Sequence, residues 1–152
     1  MIKLRNLHLE NYRGFTDTKI EFNDHITCIA GINGSGKTTF LEALAINLSW
    51  ISEMLKEPPY QNGRFINPEE RRKNAAFAAK IETLIDVDGS ETMISIGSDF
   101  GPGINIRFTD QPAMRDLFSN IMKAYPLDSR NNLPILAYYP TNRSEVEIDI
   151  TA

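Results

Sequence analysis

The chain has 152 residues, enough for one domain with a sizeable core. Its 16 Lys and Arg against 20 Asp and Glu give a net charge of −4, which excludes a basic nucleic-acid coat but not a local basic patch. Hydrophobic residues make up 41% and charged residues 24%, there is a single cysteine, Cys28, and no long apolar run occurs; these exclude a helical membrane span and an intrachain disulfide and point to a globular protein of the cytoplasm.

The N-terminus, Met1-Ile2-Lys3-Leu4-Arg5, alternates polar and apolar and has no signal-peptide core. Residues 2–10 carry Ile2, Leu4, Leu7 and Leu9 between polar neighbours, which predicts a strand with a slip near Asn6. A turn centred on Gly14 and a second strand over 18–22 make this an antiparallel pair. Ile26, Cys28, Ile29 and Ala30 form a short apolar run of the kind found in buried strands, so Cys28 is expected to be buried. A glycine-rich loop, Gly31 to Gly36, follows.

The period of three and four in Phe40, Leu41, Leu44, Leu48, Ile51 and Leu55 predicts a helix from Lys37 to about Leu55, ended by Pro58-Pro59. Residues 56–73 read as a polar surface excursion, with the run Glu69-Glu70-Arg71-Arg72-Lys73 as a solvated helix start or a weak nucleic-acid contact. Residues 75–87 and 91–97 predict a hairpin around Asp88-Gly89. A strand over 104–108 and a helix over 112–124 come next, the helix with Met114, Leu117, Phe118, Ile121 and Met122 on one side. Leu133 to Tyr139 reads as a final apolar strand.

The chemistry is concentrated in Gly31-Ile32-Asn33-Gly34-Ser35-Gly36-Lys37-Thr38, which fits the phosphate-binding pattern G-x-x-x-x-G-K-[ST] (Walker A). Gly34, Ser35 and Gly36 let backbone N–H groups converge on one anion, at the positive end of the helix that follows. Lys37 can place its ammonium on β- and γ-phosphate oxygens and is the candidate catalytic residue. Thr38 can give its hydroxyl to Mg²⁺, and Thr39 is placed to reach an α-phosphate.

The flanks are more specific than the loop. Leu7-x-Leu9-Glu10-Asn11-Tyr12-Arg13-Gly14-Phe15, Ile20-Glu21-Phe22 and the run from Ile26 through Asn33-Gly34-Ser35-Gly36-Lys37-Thr38-Thr39-Phe40-Leu41-Glu42-Ala43-Leu44 resemble the opening of an SMC/RecF-like, ABC-type ATPase. Leu133-Pro134-Ile135-Leu136-Ala137-Tyr138-Tyr139-Pro140-Thr141-Asn142-Arg143 resembles a strand of AAA-type ATPases found in bacterial anti-phage and overcoming-lysogenization-like systems. The resemblance implies an α/β fold: a P-loop NTPase core with a peripheral antiparallel sheet. It implies ATP with Mg²⁺ as the ligand, Arg13 near the nucleotide's phosphates or base, and Asn33 beside the γ-phosphate. The segment after Tyr139 would stand in place of the Q-loop. That group usually offers Gln there, and Asn142 is the substitute in this chain.

Other parts of such an ATPase are not evident. Leu84-Ile85-Asp86 is the nearest approach to a Walker B strand, but its alternation reads as a half-exposed strand, and no Ser-Gly-Gly signature occurs. The expectation is that residues 1–152 form the N-terminal lobe of a longer ATPase domain. Its site would be completed by a second head in a homodimer or higher homo-oligomer, with work on DNA or RNA or on an associated effector nuclease. Alternatives remain. A GTPase-like switch would use Asp86-Val87-Asp88-Gly89 as D-x-x-G and Asn142-Arg143-Ser144-Glu145 in place of N-K-x-D. A small-metabolite kinase would need a lid richer in arginine, and a non-hydrolysing nucleotide-binding module would need neither.

Overall fold

The computed structural model describes residues 1–55, 63–99, 106–125 and 136–139. Five strands, β1 (Ile2–Tyr12), β2 (Phe15–Glu21), β3 (Ala79–Val87), β4 (Ser90–Asp99) and β5 (Ile106–Thr109), form one antiparallel sheet in the order β2-β1-β3-β4-β5. Two helices, α1 (Lys37–Leu55) and α2 (Gln111–Ala124), pack on one face of it. The molecule is therefore α/β, with an antiparallel sheet built from the segments that alternate in the sequence.

Alternation decides which face is buried. Leu7 and Leu9 of β1, Ile81 and Ile85 of β3 and Ile94 and Ile96 of β4 are all inaccessible on the helix side. The register between β1 and β3 shifts between Leu4 and Asn6, where the alternation slips. Asp88 (φ 49°) and Gly89 (φ 88°) make the left-handed pair that a two-residue hairpin requires between β3 and β4. The Asp110 side chain accepts from the Ala113 backbone N–H at 3.1 Å and so caps α2.

Several expectations are corrected. The apolar run at 25–30 is not a strand; Ile26 is 80% exposed and Cys28 is exposed rather than buried. Within the final apolar segment only 136–139 are described, and they too form no strand, with Leu136, Tyr138 and Tyr139 exposed. The reason is common to both: an apolar run becomes a buried strand only beside a partner, and among the described residues none of the five strands pairs with either segment.

The buried stripe of α1 is Phe40, Ala43, Ile46, Asn47, Trp50 and Ile51, while Leu41 is 48% exposed. α1 is apolar around much of its circumference, so periodicity alone did not select the stripe that meets the sheet. In α2, Met114, Leu117 and Ile121 are buried but Phe118 faces outward.

The polar excursion is also corrected. Ile66 and Glu70 are buried. A short 3-10 helix, Pro68–Glu70, docks on the β1–β2 turn through Arg13 N–H to the Glu70 carbonyl (2.6 Å) and Arg72 N–H to the Asn11 carbonyl (2.7 Å). Trp50 Nε1 donates to the Arg64 carbonyl at 2.9 Å and Ser98 Oγ to the Ile66 carbonyl at 3.1 Å, tying the segment to α1 and β4.

Candidate nucleotide site

The glycine-rich loop leads directly into the N-terminus of α1 and is exposed from Gly31 to Ser35, with the Ser35 N–H donating to the Ile32 carbonyl at 3.2 Å. Gly34 (φ +82°) and Gly36 (φ +92°) adopt conformations that side-chain-bearing residues rarely take. Gly36 carries a second constraint: a Cβ there would lie 2.5 Å from Cζ of Phe15, the first residue of β2. Phe15 also packs on Phe40, with ring centroids 4.5 Å apart, so the β1–β2 hairpin is fixed to both ends of the loop-to-helix junction.

Lys37 Nζ donates to the carbonyls of Gly31 (2.7 Å) and Ile32 (2.8 Å), folding back across its own loop. Asn33, Gly34 and Ser35 are exposed, and Thr38 and Thr39 are half-buried in the first turn of α1.

Arg13 sits at the β1–β2 turn in a left-handed conformation (φ 48°). Its backbone is held by the Glu70 carbonyl, and its side chain is held twice over. Nη1 donates to Glu42 of α1 and Nη2 to Glu70 Oε1 at 2.8 Å. Glu70 also accepts from Arg64 Nη2 (2.8 Å), Tyr12 Oη (3.2 Å) and the Asn67 backbone N–H (2.9 Å). Burial alone would raise the Glu70 carboxyl; the Asn67 N–H and the two guanidiniums outweigh it and hold the group below the usual carboxylate range. Tyr12 is pushed up, first by burial and then by the Glu70 charge.

Arg13 forms the wall between two clefts. One, of about 510 Å³, is bounded by Arg13 and the 69–73 segment; the other, of about 380 Å³, by Arg13, Glu42, Ser49, Arg64 and Tyr138. With Glu70 paired to Arg13 and Arg64, the first cleft is lined by Arg71, Arg72 and Lys73 against Glu69, a net basic set. Glu42 and Phe15 stand inside their motifs with no role that the pattern announces, and Glu70 stands in a charged run that reads as solvated. The one signal that could have found Glu70 is its position three residues after Asn67, with Pro68 between them.

Asp86, the nearest Walker B candidate, is 6% exposed on β3, where it accepts from Gly89 N–H (2.7 Å) and Arg5 Nε (3.1 Å). It is a turn-capping carboxylate, and D-x-x-G falls in the hairpin turn as the alternation implied. Asn142 lies outside the described residues.

A P-loop at the head of a helix, braced by an antiparallel hairpin, defines the class: an ABC-type, SMC/RecF-like P-loop ATPase fold. The chain belongs to the AAA domain family AAA_23, matching it over residues 6–147. It is 28% identical over 146 residues to the Retron Ec83 probable ATPase of Escherichia coli, covering 94% of this chain and 26% of that protein. It is 48% identical over 46 residues to the DNA double-strand break repair Rad50 ATPase of Archaeoglobus fulgidus, 30% of this chain and 5% of that one. The structure of the recombination mediator RecF with ATP shares the fold, with a TM-score of 0.51 and 21% identity over 72% of this chain and 27% of that chain. The chain thus spans about a quarter of the length of the retron relative.

Proposed function

We propose that residues 1–152 are the N-terminal, MgATP-binding lobe of an SMC/RecF-like ATPase. The observation that carries this reading is the junction of the glycine-rich loop with α1, braced by Phe15 over Gly36. Gly34, Ser35 and Gly36 would direct backbone N–H groups at the phosphates, and Lys37 would exchange its two loop carbonyls for β- and γ-phosphate oxygens. Asn33 would flank the γ-phosphate, Thr39 the α-phosphate, and Arg13 the nucleotide from the hairpin side, with Asn142 in place of the Q-loop glutamine. Thr38 offers one hard oxygen, which suits Mg²⁺, an ion that completes its shell with water and phosphate. Bound there, Mg²⁺ would neutralise charge on the β- and γ-oxygens.

Asp86 is committed to its turn, so we assign the water-activating carboxylate and the signature to residues outside this chain and to a second head. ATP would then join two copies, and hydrolysis would release them. The Rad50 likeness supports coupling to DNA repair; anti-phage defence, on DNA or RNA directly or through an effector nuclease, is the further part of this proposal. The test is calorimetric binding of MgATP, MgGTP and ATP alone to the chain and to Lys37→Ala, followed by steady-state hydrolysis. MgATP binding that is lost in Lys37→Ala, without turnover, is the expected result. Preference for GTP would overturn the nucleotide assignment. Turnover that depends on Lys37 would place the whole catalytic set inside these residues.

A further inference from the structure

Glu42 lies four residues after Thr38, one turn along the same face of α1. Its carboxylate meets Arg13, and Phe15, two residues beyond Arg13, lies on Gly36, so the turn that carries Arg13 is fixed beside the glycine-rich loop. Among the described residues its ion-pair partner is Arg13.

The two carboxylates on Arg13 are not equivalent. Glu70 is buried and keeps Arg64, Tyr12 and the Asn67 N–H whether or not Arg13 stays. Glu42 and Arg13 are each about a third exposed, with side-chain accessibilities of 29% and 34%. Arg13 is therefore anchored at its backbone by the Glu70 carbonyl and at Nη2 by the buried Glu70 carboxylate, while Nη1 is restrained by a partly exposed contact with Glu42 that can exchange.

We propose that Glu42 is a positioning residue for nucleotide binding, which competes with the nucleotide phosphates for Arg13. This rests on the reading that the phosphates occupy Gly31–Thr38. In the free chain Arg13 is held on the α1 flank; with a triphosphate in the loop, its Nη1 exchanges Glu42 for phosphate oxygen while Nη2 stays on Glu70 and the backbone stays fixed. Arg13 supplies the attraction and Glu42 sets how much of it the nucleotide receives.

Removing the competitor must then tighten binding, and only through Arg13. An ion pair this exposed is worth at most about 1 kcal/mol, so Glu42→Gln is expected to tighten MgATP binding by about two- to fivefold. Arg13→Ala is expected to weaken it, Glu42→Asp, which keeps the charge, to resemble the parent, and Glu42→Gln to give no gain in an Arg13→Ala background. Calorimetry on the four variants, each checked for folding by circular dichroism, reads this directly. Unchanged or weaker binding in Glu42→Gln overturns the proposal, as does a gain that persists without Arg13, which would mean plain charge repulsion. Parent and Lys37→Ala chains that bind MgATP equally would instead overturn the reading beneath it.

Discussion

Phe15 lies against Gly36 so closely that the glycine's missing Cβ is what admits the ring, with 2.5 Å between a built Cβ and Cζ. A hairpin turn and a phosphate loop distant in the chain are thereby packed as one unit. Gly36→Ala is expected to cost about 2 kcal/mol or more, from the positive φ and the ring contact together, and to abolish MgATP binding. Combined with Phe15→Ala, the cost should be less than the sum of the two single changes, because the clash is then gone. Urea denaturation of the four chains checks this.

Asp86 is held below the usual carboxylate range first by the Gly89 N–H and then by Arg5. All of these partners belong to the β3–β4 turn or to β1. Asp86→Asn is expected to lower the unfolding midpoint and leave MgATP affinity unchanged. A loss of Mg²⁺-dependent binding with stability intact would make Asp86 a metal-side carboxylate after all.

His8, on the sheet face away from the helices, meets Asp17 of β2 at 2.8 Å and Glu82 of β3 at 3.1 Å, with Glu10 of its own strand at 3.6 Å. Lys80 of β3 shares Glu82 (2.7 Å) and Glu10 (3.5 Å). Burial lowers the imidazole, but the Asp17 and Glu82 contacts outweigh it, so His8 titrates above its ordinary 6.5. The protonated form then binds more tightly in the folded chain. Its stabilisation is fully present below about pH 6.5 and is lost as pH rises through the raised value. His8→Asn should remove this slope from urea midpoints measured between pH 5 and 9. An unchanged slope would assign it to another group.

Asn47 of α1 donates to Thr83 Oγ1 of β3 at 2.5 Å, both fully buried, while Asn47 Oδ1 has no hydrogen-bond partner. Thr83→Val leaves the amide with no acceptor and should cost about 1–3 kcal/mol. Asn47→Leu combined with Thr83→Val should cost less than Thr83→Val alone, since no orphaned amide remains. Equilibrium denaturation distinguishes the two.

Local pattern was legible wherever the partner lay close in the chain. The two hairpins, the register slip at Leu4/Asn6, both helices and the phosphate loop are written in alternation, in the three-and-four period and in glycine spacing. These are short-range consequences of backbone geometry. Residues 26–30 and 136–139 were misread because apolarity shows that a segment wants cover, not that a partner strand is present.

By itself the sequence determined the loop, its lysine and threonine, and the strand–helix grammar around them. The tertiary structure decided what a one-dimensional pattern cannot carry. Glu70, in a run of charges that looks solvated, is drawn into the interior because Arg13, fifty-seven residues away, and Arg64 converge on it. Glu42, one residue in a motif, faces Arg13 because the hairpin folds over α1. Burial of a charge is a balance between desolvation and the partners that meet it, and those partners are chosen by the fold.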